Sequence, residues 1–226
     1  MYGIEQPKVA IGGLGGSGTR MVAEIFKRLG LLIDDDLNPS LDWLPFTRIK
    51  HQPCCEWISG LRGLRPNNDV FKEPHAIQLI EPIFKVWPDI KFIHVVRHGL
   101  EWAYGSEHWQ YKDFAAPLNS KMFPREMTPV SRFEYWCYIQ RVMKNYATIY
   151  PVYTLNYNAM IEEPQKEIGG LLDFAEVEAV GADSELGIDI LNIPKRPVSW
   201  KCHKKEDLSW FTQEHEEELR RHGFER

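Results

Sequence analysis

Residues 12–20 read GGLGGSGTR. Gly13, Gly15, Gly16 and Gly18 supply backbone that bends closely, Ser17 and Thr19 supply hydroxyl donors, and Arg20 supplies a guanidinium fork. Backbone N–H groups at a helix N-terminus attract anions, and a glycine turn lets them converge on one. The chemistry these residues suit is holding a phosphate-like group. A tight turn that only joined a strand to a helix would need fewer glycines and no donors.

The flanking residues place this turn. Val9–Ile11 is a short apolar run of the kind that forms a buried parallel strand. Met21, Ile25, Phe26 and Leu29 recur at helical spacing, and Gly30 ends the pattern. Three readings fit a glycine turn between strand and helix. Gly13, Gly15 and Gly18 satisfy the dinucleotide pattern G-x-G-x-x-G, with Asp34 about where a ribose-binding acid would fall. A magnesium-dependent P-loop kinase would need Lys and Ser/Thr after Gly18, where Thr19 and Arg20 stand. It would often add an acid at a strand end, but the clearest strand, KFIHVV from Lys91 to Val96, runs into Arg97. The third reading is a phosphate loop that works without a metal.

The remaining elements alternate. DVFK over 69–72 is a short strand, AIQLIEPIFKVW a helix, and PVYTLNY over 151–157 a strand. Ser131 and Glu134 in SRFE suit a capping box for a long helix with Phe133, Trp136, Ile139, Met143 and Tyr146 on one face. Pro164 suits the first position of the next helix, and the last helix starts near Thr212. Residues 34–68 and 107–128 read as irregular. The expected fold is α/β and of the P-loop type, three layers with a mainly parallel central sheet of four to five strands. With 226 residues and no linker, repeat or low-complexity tract, the chain is expected to form one domain.

Bulk properties narrow the partners. A net charge of −5 argues against a general nucleic-acid or membrane-surface binder. No stretch is long and apolar enough to span a bilayer, and the N-terminus lacks the pattern of a secretory signal. Cys54, Cys55, Cys137 and Cys202 form neither a metal spacing nor a disulfide framework, so a reducing cytoplasm is expected.

Four segments in order resemble the sulfotransferases that use 3′-phosphoadenosine-5′-phosphosulfate (PAPS). GGLGGSGTRMVAEIFKRLG resembles the family's 5′-phosphosulfate loop, and KFIHVVRHGLEWAYGS its strand, arginine and helix for the 3′-phosphate. VYTLNYNAMIEEPQKEIGGLLDFAEV is similar to its later strand, tyrosine and helix, and RPVSWKCHKKEDLSWFTQEHEEELRRHGF to its basic loop and closing helix. The resemblance covers most of the chain. It implies transfer of a sulfuryl group from PAPS to a hydroxyl or amine without a metal, leaving PAP (3′-phosphoadenosine-5′-phosphate). Sulfuryl transfer asks mainly for positioning and charge stabilisation.

The resemblance also implies roles. Gly15, Gly16, Ser17, Gly18, Thr19 and Arg20 would hold the 5′-phosphosulfate, and Arg97 the 3′-phosphate. Tyr157 would meet the adenine ring. Residues 194–205 carry Lys195, Arg196, Lys201, Lys204 and Lys205 without an acid, which suits a flap over the 3′-phosphate with Lys195 and Arg196 foremost. Lys72 matches a lysine that contacts the sulfuryl group. His75 and Glu73 are the two candidate bases, since imidazole titrates in the right range and some branches use a carboxylate. His94, inside an apolar strand, is expected to be a hydrogen-bonded core histidine, and His98 to face phosphate or solvent. The pattern departs from the family at two places. Gly16 stands where a Lys or Arg often precedes Ser-Gly-Thr, so Arg20 or another cation must compensate. Gly105 stands where a serine is usual, with Ser106 next to it as the substitute.

The acceptor is a small molecule, sugar or lipid that the residues do not separate. Trp102, Trp109, Tyr111, Phe114 and Phe123 suit either its pocket or the core of a long loop. The alternatives are a P-loop nucleotide kinase and a nucleotide-binding relative without catalysis.

Overall fold

The computed structural model describes residues 6–31, 36–64, 69–105, 128–177 and 208–225. Its centre is a parallel sheet of four strands, β1 (Val9–Gly13), β2 (Val70–Lys72), β3 (Lys91–Val96) and β4 (Val152–Asn156), in the order β2-β1-β3-β4. β1 aligns Val9 with Val70 on one side and with Lys91 on the other. β3 aligns His94 with Gly12 and with Thr154. All five residues of β1 are buried, as expected where helices cover both faces of a parallel sheet.

Strand alternation divides the core. Ala10, Phe71, Phe92 and Val96 face one cluster, and Val9, Ile11, Val70, Ile93, Val95 and Leu155 face the other. The second face is covered by α1 (Thr19–Arg28) and later by the helix Pro164–Ala175. Met21, Val22, Ile25 and Phe26 of α1 are buried there, each stabilising the fold by roughly 1.5–3 kcal/mol. The helix stops as its glycine predicts. Gly30 takes φ 74, and the Leu31 amide donates to the Phe26 carbonyl.

Residues 36–64 carry two helices that the sequence reading left irregular, α2 (Leu44–Ile49) and α3 (Trp57–Gly63). Each is short, and Pro45, Thr47 and Ser59 obscure its periodicity. After β2 the chain makes a 3-10 turn (Pro74–Gln78) before α4 (Ile80–Val86), so the expected single helix is split. α5 (Gly99–Tyr104) follows β3. The long helix α6 (Pro129–Tyr146) starts earlier than expected. Thr128, not Ser131, is its N-cap: its hydroxyl accepts from the Ser131 amide, and Pro129 takes the first position, where a missing N–H costs nothing. α7 (Tyr157–Glu162), α8 (Pro164–Ala175) and α9 (Gln213–Arg221, capped by Thr212) complete the described elements. Among the described residues no helix is long and apolar enough to cross a membrane.

From β1 the chain moves to β2 on one side, then returns across β1 to β3 on the other. The turns after β1 and β3 therefore open away from each other, at the switch point where parallel α/β sheets hold ligands.

Candidate active site

Leu14, Gly15, Gly16 and Ser17 form a tight turn at the end of β1. The Ser17 amide donates to the Leu14 carbonyl at 2.9 Å, and Gly16 has φ 82, the left-handed backbone that the third position of a type II turn requires. Gly18 has φ 101 and caps α1 without a side-chain hydrogen bond. A Cβ on Gly13 would stand 2.6 Å from the Val95 carbonyl oxygen, and one on Gly18 would enter the Tyr157 ring. The glycines thus answer close contacts on both sides of the turn.

Two side chains from the β3–α5 connection hold this turn by its carbonyls. Trp102 Nε1 donates to Gly15 O at 2.8 Å, and Arg97 Nη1 to Gly16 O at 3.3 Å. Trp102 therefore braces the glycine turn from inside the core, which gives its ring a use other than lining an acceptor pocket. Arg97 is 9% exposed; its Nε donates to Glu101 at 2.7 Å, and its guanidinium lies 5.3 Å from the Tyr157 ring centroid. Trp136 Nε1 in turn donates to the Arg97 carbonyl.

The first turn of α1 contains no acid, and Lys27 and Arg28 sit in its last turn. The N-terminal end of its dipole is therefore left for an anion. Ser17 is buried, and its Oγ has no hydrogen-bond partner among the described residues. A buried hydroxyl without a partner costs free energy unless a ligand supplies one. Thr19 is buried and Arg20 exposed. A cation in the first turn opposes the dipole, and an anion between them would offset that. These residues fit a phosphosulfate group.

A second polar group lies at the end of β2. Glu73 is buried and accepts from the Thr47 hydroxyl, from the His75 backbone N–H at 3.2 Å and from His75 Nδ1 at 2.7 Å. Lys50 Nζ lies 2.8 Å from His75 Nδ1 and 3.8 Å from Glu73. Burial alone would raise the Glu73 carboxyl, but the hydrogen bond and charge of His75, then Lys50 and the Thr47 hydroxyl, hold it below the ordinary carboxylate range. Glu73 is thus a saturated carboxylate and a weak base. His75 Nδ1 stands between a carboxylate, to which it would donate, and an ammonium, from which it would accept. Thr47 and Lys50 escape sequence reading because they come from α2 and its C-cap, far along the chain from His75.

Lys72 is the last residue of β2. Its ammonium is buried against the Asp42 carboxylate and donates to the Ser40 carbonyl at 3.0 Å. Asp42 is held in turn by Asn38, whose side chain donates to it at 2.8 Å and accepts from its amide.

Tyr157 follows β4 and packs its ring on Gly18 and Arg97. His98 is buried rather than turned to solvent: its Nδ1 accepts from the Leu100 amide, so Nε2–H donates to the Glu225 carbonyl at 2.6 Å. His94 is a core residue, but its two ring nitrogens have no hydrogen-bond partner among the described residues, contrary to expectation. Burial, with a smaller contribution from His222, pushes it down to about 3. Asp34, Ser106, Lys195 and Arg196 lie outside the described residues, as do Trp109, Tyr111, Phe114, Phe123 and the basic residues Lys201, Lys204 and Lys205.

The model of a family described as Sulfotransferase family matches residues 31–180, which begin after the glycine turn and include both the His75 group and Arg97. No curated protein matches the chain at a significant level. Among solved structures the chain is similar to a sulfotransferase from Alicyclobacillus acidocaldarius, with 12% identity, TM-score 0.53 and 96% of each chain covered. It is also similar to the sulfotransferase domain from the Synechococcus PCC 7002 olefin synthase, with 13% identity, TM-score 0.49 and coverage of 98% of this chain and 96% of that one. A third, the sulfotransferase domain from the curacin biosynthetic pathway, has 12% identity and TM-score 0.48, with 98% of this chain and 99% of that one covered. The Alicyclobacillus likeness shows the fold.

Proposed function

The chain belongs to the sulfotransferase family, and from that premise we propose that it moves a sulfuryl group from PAPS to a hydroxyl or amine of an acceptor, in line and without a metal. The observation that carries this reading is the buried Ser17 Oγ, without a hydrogen-bond partner among the described residues, beside an acid-free helix N-terminus at the switch point of the sheet. PAPS supplies the sulfur–oxygen bond that breaks. Every other task falls to the chain.

Gly15 to Arg20 bind the 5′-phosphosulfate through amides, the two hydroxyls and the guanidinium, where charge builds on the leaving phosphate. Arg97 receives the 3′-phosphate. Its Nε and Nη1 are engaged by Glu101 and Gly16, which fixes the plane of the fork and leaves Nη2 for that contact. Ser106, Lys195 and Arg196 complete the nucleotide site. Tyr157 supports Gly18 and Arg97 and borders the adenine. His75 Nε2 takes the proton of the acceptor, and Glu73 holds the ring and balances the imidazolium that forms. Lys72 is the lysine that would contact the sulfuryl group, with its ammonium held against Asp42. The acceptor is a small molecule, a sugar or a lipid.

Calorimetry with PAP, ADP, ATP and NAD tests this reading. PAP should bind at least about tenfold more tightly than ADP, and Arg97→Ala should abolish that preference. Equal affinity for PAP and ADP would remove the 3′-phosphate site and the reading with it. Gly16 in place of a cation and the commitment of Lys72 favour a second reading, a nucleotide-binding relative without catalysis. Turnover with any acceptor excludes it.

A further inference from the structure

We infer that the turn closing α9, residues 222–225, is a positioning element for Arg97, with Phe224 as its principal side chain; the inference rests on the reading of Arg97 as the 3′-phosphate ligand given above. α9 ends on a glycine cap. Gly223 takes φ 76, its amide donates to the Arg220 carbonyl at 3.0 Å, and the Phe224 amide reaches back to the Leu219 carbonyl at 3.1 Å. This pair of bonds is the Schellman arrangement, which folds the residue after the glycine back over the last turn of the helix. Leu219 and Phe224 are both buried, in the core cluster that also holds Phe133 and Trp136. A local cap therefore decides where Phe224 and the Glu225 carbonyl stand.

They stand against the backbone that carries Arg97. The peptide between Arg97 and His98 is held at its oxygen by Trp136 Nε1 at 3.0 Å and at its N–H by Asn158 Oδ1 at 3.1 Å. Phe224 packs on both sides of this peptide. Its ring meets the His98 ring edge-on with centroids 5.3 Å apart, and it meets the Trp136 ring at 6.1 Å. The His98 Nε2–H donates to the Glu225 carbonyl at 2.6 Å. A phenyl ring that only filled the core would need no such polar bond beside it. Here a buried histidine commits its N–H to a carbonyl 127 positions further along the chain.

The seating matters because the Arg97 fork has partners on two different segments. Glu101 travels with Arg97 on the same β3–α5 connection, while the Gly16 carbonyl belongs to the turn after β1. A shift of the Arg97 backbone would keep the first bond and lose the second, and the plane of the guanidinium would turn. A displacement of about 1 Å at a binding group is enough to lose most of what it contributes. The turn after α9 thus holds the fork in the plane in which it would meet a phosphate.

Phe224→Ala and Phe224→Leu in the full chain test the inference. In calorimetry Phe224→Ala should weaken PAP binding about tenfold while ADP, which lacks the 3′-phosphate, stays within about twofold. Phe224→Leu, which keeps an apolar contact, should restore most of the PAP affinity. Hydrogen-exchange NMR of the Arg97 Nε–H, assigned by the signal lost in Arg97→Lys, reads the seating without any nucleotide. That proton should exchange at least about tenfold faster in Phe224→Ala than in wild type. Unchanged exchange in folded Phe224→Ala overturns the inference. In a protein that prefers PAP, so does an equal loss of PAP and ADP, which would mean general loosening. If Phe224→Ala does not fold, His98→Asn replaces it: an asparagine still caps α5 through the Leu100 amide but is too short for the Glu225 carbonyl. The same two changes are expected there, and unmoved exchange overturns the inference. The two ideas fail separately. A wild type that binds PAP no better than ADP removes the donor reading, and faster exchange in Phe224→Ala still upholds the seating of Arg97. A wild type that prefers PAP, with unmoved exchange in the variant, does the opposite.

Discussion

The end of β2 and the middle of β3 each bury a histidine, His75 at 0% exposed and His94 at 1%. Their surroundings have nothing else in common. His75 touches a carboxylate, an ammonium and, through Glu73, a hydroxyl. His94 shares the face of Phe92 and Val96, opposite Gly12, with no hydrogen-bond partner among the described residues. Burial alone therefore says little about chemistry. A histidine among charges has partners for a proton, while a histidine among hydrocarbon resists protonation.

The largest test of this contrast is turnover. His75→Asn should lower kcat/KM by about 10²- to 10⁴-fold while PAP still binds. His94→Met should stay within about threefold of wild type, since it removes no group that faces the substrate. The reverse ranking would break the comparison.

Acid stability comes next. The folded His94 titrates at about 3, below its ordinary value of 6.5. Between these values the unfolded chain binds a proton that the folded chain refuses, so stability falls as pH drops through that window. At pH 5 the loss is about 2 kcal/mol from this residue. His94→Met should remove it, flattening the acid limb of urea-measured stability while changing little at pH 8. An unchanged limb would mean that His94 finds a partner when protonated.

The smallest expected effect sharpens the other side. Thr47→Val removes one donor from a buried carboxylate and should cost about 1.5 kcal/mol in urea unfolding. Its effect should be lost in a Glu73→Leu background, which removes the acceptor, because the two share one interaction. Additive losses would mean that Thr47 stabilises α2 independently.

The two sites were unequally legible in the sequence. The glycine turn announced itself because everything it uses lies within a few residues: Gly16 and Gly18 take left-handed backbone, and the strand before and helix after carry their own periodicities. The alternation of strands and helices gave the layered α/β architecture for the same local reason. The order β2-β1-β3-β4, and with it the meeting of Gly16 with Arg97, depends on contacts between distant segments. The His75 group was half visible. Glu73 and His75 are neighbours, but Lys50 and Thr47 reach them from α2, a helix too short to leave a clear period. The same short-range view could not see that Lys72 pairs with Asp42, which lies 30 positions away. A capping box at Ser131 was a local pattern overruled by another local pattern, Thr128 followed by Pro129.

The bond from Trp102 to the Gly15 carbonyl has one more consequence. A turn of this kind interconverts between two forms by rotating its central peptide, and in isolation both are populated. Here that rotation would tear the carbonyl from a buried indole donor, so the chain enters the native state with one form already selected. An anion bound there would meet amides whose disorder was removed during folding, and its affinity would not be diminished by the entropy of arranging them.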